Sequence, residues 1–375
     1  MVLYTRYLLL FIIACLLFAC GKTATEPLPD PIYPRLNVKD FGAKGDGFTN
    51  DDTAISRALR AANEKKLPLF FPAGKYLARI ILPNDSLTIF GEKARGRFFD
   101  SSGTVILGLL NCNLKKHIRI SDLSIDARDR LLPSDDAALT SGAIPGNQPL
   151  DHTFSNIAIM GNGYNAFKHG ILCFSGSGIQ MNNIYVNSFY HGIALRCSNA
   201  ALSEISTDYC GFTSIVVKSA DSLNENAQNI SIRRVSMYGD KIDPFKRAGV
   251  ILIISYNAKS ITENITVDSV SSVNGGVGAV NVQQDSGQVR NISIANCFAW
   301  NCGDRTTRAA YDIYGGTNIT YTNCNTVKCA GVGFRSSHNP VNLVVRSCNE
   351  SQSLYSWMGT YQYLQLNGTE IYRGY

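Results

Sequence analysis

The sequence predicts an all-β solenoid, a parallel β-helix, and three observations predict it. Of 375 residues, 45% are hydrophobic and 17% charged, and Gly 32, Tyr 18 and Phe 17 stand against Met 5. That balance favours strands and turns and excludes disorder as the main theme. An Asn followed by an apolar-polar-apolar triplet recurs at Asn156, Asn183, Asn229, Asn264, Asn291, Asn318 and Asn342, with weaker copies at His117 and Glu204. Spacings of 21 to 39 residues between successive copies mark stacked repeats. Each unit holds short alternating strands broken by Gly, Asn and Ser, and no stretch long enough for a helical repeat. Such units cannot bury an apolar face alone, so each strand must pair in parallel with its counterpart one coil on.

The elements follow in chain order. Residues 1–20 combine Arg6, an apolar run from Leu8 to Phe18, and Leu17-Phe18-Ala19-Cys20-Gly21. A run this short does not comfortably cross a ~30 Å hydrocarbon core and reads as a secretory signal. The small residue before Cys20 resembles the bacterial lipobox. That resemblance implies a signal peptide over 1–19, lipidation of Cys20, and an exported chain held to a cell-envelope membrane, the outer membrane expected, through its lipid anchor only. Residues 20–35 hold four prolines and no apolar periodicity, a tether that leaves 36–375 as the folded domain. Eleven cysteines less Cys15 and Cys20 leave nine, an odd number that does not suit a disulfide scaffold. Cys297 and Cys324, like Cys302 and Cys329, lie 27 residues apart and read as buried thiol ladders rather than disulfides. The net charge of +6 is scattered without long runs of one sign, which argues against a nucleic-acid partner.

Ahead of the repeats stands Val38-Lys39-Asp40-Phe41-Gly42-Ala43-Lys44-Gly45-Asp46-Gly47, followed by Asn50-Asp51-Asp52-Thr53-Ala54-Ile55 and Leu69-Phe70-Phe71-Pro72-Ala73-Gly74-Lys75-Tyr76. This opening resembles that of the pectate lyase superfamily, which includes rhamnogalacturonase- and polygalacturonase-related proteins. The resemblance spans residues 36 to about 370 and implies a right-handed single-stranded β-helix that acts on, or binds, acidic polysaccharide. From the residues themselves the opening is architecture. Asp51 or Asp52 is placed to cap a helix whose Ile55, Leu59 and Ala62 form one stripe, plugging the open end of the solenoid.

Strands after the repeated glycines expose one parity. On it fall Phe174, Arg196, Lys218, Asn281, Gln283, Asp312, Tyr314 and Arg335, with His169 and His191 at the entrance. His169 to His191 and Arg196 to Lys218 are each 22 residues, so paired imidazoles and paired cations are expected on neighbouring coils. A cationic row suits a polyuronate. Lyases of the resembled superfamily remove the proton beside the carboxylate, a step that needs a base and cationic stabilisation. Lys218 is the expected base and Arg196 the neutraliser, with His169, His191, Asn281, Gln283, Asp312, Tyr314 and Arg335 in substrate binding. A glycoside hydrolase, the second reading, would use paired carboxylates from among Asp208, Asp240, Asp243 and Asp312; a glycan-binding β-helix without catalysis is the third. No cofactor is required. Only Asp240 and Asp243 cluster as oxygen ligands, which leaves a Ca2+ site open.

Overall fold

The computed structural model describes residues 34–375 except 93–98, 143–147, 164–167, 220–225, 240–248, 277, 304–308, 330–331, 353–354, 359–362, 367–368 and 373–375, with backbone alone after Gln352. The expected signal peptide, Cys20 and most of the expected tether lie outside the described residues, as do Asp240 and Asp243. From Leu36 onward the chain is a parallel β-helix. His169–Asn187 pairs in parallel with His191–Asp208, Thr213–Ser219 with Ile251–Ser255, and Ile251–Ser255 with Val280–Gln284. Tyr363–Leu366 and Thr369–Tyr372 instead pair antiparallel near the end of the chain.

Each coil turns at corners set five residues apart. Left-handed φ values fall on Asn264, Ser269 and Asn274, on Asn291, Asn296 and Asn301, and on Asn318, Asn323 and Lys328. Asn tolerates this conformation because its short amide bonds locally, whereas most residues are penalised there by about 1–2 kcal/mol. Between corners only four residues remain, enough for a short strand with two side chains in and two out. The coil therefore has three faces, here called the groove face, the second face and the third face. His169–Asn187 and His191–Asp208 each run round all three.

The asparagines also bond to one another. Asn229 Nδ2 donates to Asn199 Oδ1, and the pattern continues through Asn264, Asn291, Asn318 and Asn342 at 2.7–3.0 Å. Asn156 and Asn183 belong to a different corner, where Asn183 donates to Asn156 and Asn156 to Asp122. The repeat seen in the sequence as one series is thus two ladders. The series changes corner between His117 at the first and Asn156 at the second, and again between Glu204, which holds the second corner beside Arg234, and Asn229 at the first. Two corners attract the same phrase because both need a left-handed residue followed by an inward aliphatic.

Inside, like residues stack. Leu110, Leu139, Ile171, Ile193, Ile215, Ile251 and Val280 form one fully buried column along the groove face. Burying each such side chain is worth roughly 1.5–3 kcal/mol. The described cysteines are buried, and the Cys324 amide donates to Cys348 Sγ at 3.3 Å, extending the expected ladder by one coil.

The open end is closed by α1, Asp52–Lys65, whose Ala54, Ile55, Ala58, Leu59 and Ala62 are buried. Asp51 does not cap it with its side chain, contrary to expectation. Its buried carboxylate accepts instead from the amides of Lys44 (2.7 Å) and Gly45 (3.1 Å), and Asn50 Oδ1 accepts from the Asp52 amide at 2.8 Å. The Gly-rich opening loop bends back over the helix entrance, so its amides are nearer to Asp51 than those of the first helical turn. Gly45 has φ +63, and a Cβ there would meet the Tyr76 ring at 2.9 Å.

Asn291 both donates to and accepts from its ladder neighbours at φ 58. Asn291→Ala should lower the denaturant midpoint by the equivalent of about 2–3 kcal/mol, losing ladder bonds and the left-handed tolerance together. Asn291→Gly, which keeps that tolerance, should lose less than half as much; equal losses would show that the corner conformation does not matter.

Candidate functional site

On the groove face the outward residues form three columns, where the sequence suggested one row. Ala137, His169, His191 and Thr213 make the first. Thr140, Leu172, Ala194, Val216, Leu252 and Asn281 make the second, which leads to Asp312 and Arg335. Phe174, Arg196, Lys218, Ile254, Gln283 and Tyr314 make the third. Leu195 pairs with Val217, so Arg196 and Lys218, the next residues, stand on neighbouring rungs ~4.8 Å apart.

The first column lies within the electrostatic reach of the cations. His169 and His191 stack with centroids 5.0 Å apart and planes at 8°. The His191 Nδ1 bonds the Thr213 hydroxyl, while His169 Nδ1 is buried without a hydrogen-bond partner. Burial, and then the nearby charges of Arg196, Lys218 and Lys168, push the His169 pKa down to about 3. Burial, then His169, Lys218 and Arg196, push that of His191 down to about 2. Desolvation penalises the imidazolium and neighbouring cations repel it, so both rings are neutral at physiological pH. Tyr190 and Phe212 stack at 5.3 Å and 4°, and both meet His191 edge-on.

One wall comes from the long insertion between the repeat copies that begin at His117 and Asn156. Asp135 takes two bonds from the Arg79 guanidinium at 2.8 and 2.7 Å, and Lys168 Nζ binds the carbonyls of Leu132, Pro133 and Asp135.

Other expected residues lie apart from this cluster. Asp312 is buried and gripped bidentately by Arg335, so Arg335 carries no free positive charge toward a ligand and Asp312 is no loose carboxylate. Asn281 Oδ1 accepts from the Asp312 amide at 3.1 Å, Gln283 donates to Asp285, and Tyr314 packs on His338. Ile254 separates Lys218 from Gln283 in the third column. Asp208 lies on the third face, where it accepts from the Tyr185 hydroxyl at 2.9 Å. No group of three or more His, Cys, Asp or Glu among the described residues is placed to hold a metal ion.

Lys168, Tyr190, Phe212 and Thr213 are the members that sequence reasoning missed. Their signal was present: Lys168, Tyr190 and Phe212 each precede a groove strand, 22 residues apart.

Comparison with known proteins places the architecture. Residues 35–221 match the family described as rhamnogalacturonase A/epimerase, pectate lyase-like. Plasmin and fibronectin-binding protein A of Streptococcus pneumoniae (strain ATCC BAA-255 / R6) is 24% identical over 246 residues, which is 62% of this chain but only 30% of that protein's length. Among solved structures, the A-modules of the Azotobacter vinelandii mannuronan C-5 epimerases AlgE6 and AlgE4 superpose with TM-scores of 0.62 and 0.59 at 16% and 15% identity. They cover 89% and 87% of this chain and 98% of each module. These likenesses concern the fold, and they agree with the parallel rungs and the capped end described above. The chain is a right-handed parallel β-helix, and over residues 35–221 it matches the rhamnogalacturonase A/epimerase, pectate lyase-like family.

Proposed function

We propose that the groove cleaves an acidic, pectin-like polysaccharide by β-elimination. The observation that supports this most is the placement of Arg196 and Lys218 on neighbouring rungs of one face, within electrostatic reach of two neutral, desolvated imidazoles. Arg196 receives the uronate carboxylate with its planar fork and stabilises the charge that moves onto it as the adjacent C–H bond breaks. Lys218 Nζ takes that proton onto its lone pair. The electron pair forms the C4–C5 double bond, the C4–O4 bond breaks, and the leaving oxygen is protonated from solvent. The neutral histidines hydrogen-bond sugar hydroxyls without adding further positive charge, and Tyr190 with Phe212 offers an aromatic wall to a sugar ring. Hydrolysis is the weaker reading, because Asp312 is already tied to Arg335. A C-5 epimerase removes the same hydrogen and returns one to the opposite face, so that outcome would share the first step.

Incubation with a panel of uronate polymers tests the reaction. Unsaturated-uronate absorbance and new reducing ends should rise together. Reducing ends without the absorbance would establish hydrolysis instead, and an altered uronate configuration with neither signal would establish epimerisation.

Lys218→Ala should lower the rate about 10²–10⁴-fold, the usual contribution of a general base. Its melting temperature should stay within a degree or two, since such surface changes cost no more than ~0.5 kcal/mol. Full activity in both Lys218→Ala and Arg196→Ala would remove this mechanism.

The histidines also impose a sign on stability. Each titrates near 6.5 when unfolded and near 3 or 2 when folded, so between those values the unfolded chain binds more protons. Their contribution is intact above about pH 6.5 and is lost progressively on acidification. A plot of melting temperature against pH should be flatter on its acid side in His169→Gln than in wild type; parallel plots would mean that His169 is charged in the fold.

A further inference from the structure

The third face holds a second arrangement suited to sugar. Its outward column runs Asn187, Asp208, Tyr238, Val273, Trp300 and Val327, with Phe298 beside Trp300 in the neighbouring column. Tyr238 is 38% exposed and Phe298 41%. Tyr238 is held on edge by Tyr209 at 5.4 Å, and its hydroxyl accepts from Asn274 at 3.2 Å. Lys328 lies 6.0 Å over the Trp300 ring. Tyr238 is therefore held in place, which lowers the entropy cost of binding against it. Upstream, the same face opens a cavity of about 420 Å³ lined by Tyr185, Glu204, Asp208, Arg234 and Ser236.

We infer that this face binds an extended, neutral polysaccharide, independently of the groove. Tyr238 and Trp300 stand in one column two rungs apart, ~9.6 Å, close to the length of a disaccharide in an extended β-1,4-linked chain. Alternate sugars of a chain lying along the solenoid axis would present their apolar faces to the two rings. The cavity receives the next sugars. There Asp208, held by Tyr185, accepts sugar hydroxyls, as does the carboxylate of Glu204. Arg234 is already paired with Glu204, so the pocket offers an acidic polymer no unmatched cation and would repel its carboxylates. The groove selects for charge, and the cavity end of this face, with Asp208 and Glu204, selects against it.

Mannohexaose and a β-1,4-linked mannuronate hexamer, which share linkage and differ in the carboxylate, are the probes, titrated calorimetrically into the full chain. Mannohexaose should bind wild type, and at least tenfold more weakly to Trp300→Ala and Tyr238→Ala. Tyr238→Phe, which keeps the ring, should retain binding. All three variants should keep the wild-type rate on uronate polymers, which also shows that they are folded. The Trp300-dependent heat should be absent for the mannuronate hexamer. Failure of mannohexaose to bind, equal binding by Trp300→Ala and wild type, or a Trp300-dependent response to the mannuronate hexamer would overturn the inference. So would a Trp300→Ala change that alters self-association in sedimentation without changing mannohexaose affinity.

Discussion

A side chain in this molecule points inward or outward according to its distance from a left-handed corner. Corners five residues apart leave four-residue strands, and a strand that short has no room to slip by one without turning its aliphatics to solvent. The asparagine ladders fix the corners relative to one another, amide to amide, along the solenoid. Parallel pairing then copies the orientation from coil to coil. The hydrophobic column, the cysteine ladder and both outer faces follow from that register.

The same copying has opposite energetic signs inside and outside. Inside, Ile on Ile on Ile removes apolar surface from water at each rung. Outside, it sets a histidine on a histidine and an arginine beside a lysine, which is unfavourable for like charges. The chain accommodates this by leaving the imidazoles neutral and by giving Arg335 its own carboxylate at Asp312. The cations within electrostatic reach of the imidazoles are Arg196, Lys218 and Lys168, and Lys168 is occupied with the carbonyls of the insertion. A β-helix thus makes a concentrated site by repetition, and limits it by breaking the repetition, as Ile254 does between Lys218 and Gln283.

The three-sided coil also separates chemistries that share a backbone. His191–Asp208 supplies His191 and Arg196 to the groove and Asp208 to the third face within a single strand. The two corners between them turn the outward direction away from the groove, so the surfaces do not compete for one ligand. Aromatic rings serve both faces, but beside neutral imidazoles and cations in one and beside carboxylates in the other.

The sequence by itself determined the solenoid, the capping helix and the pairing of His169 with His191 and of Arg196 with Lys218. These rest on local rules: an Asn before an aliphatic, a stripe at helical spacing, a distance of one coil. It also contained, unread, the five-residue spacing of Asn291, Asn296 and Asn301. Only the tertiary structure decided that the repeated phrase occupies two corners, that the outward residues form three columns, and that Asp312 belongs to Arg335. Those depend on the length of each connection between faces, which varies from coil to coil. Asp51 shows the same limit, since its carboxylate serves whichever amides the folded loop brings nearest, and no local pattern states which those are.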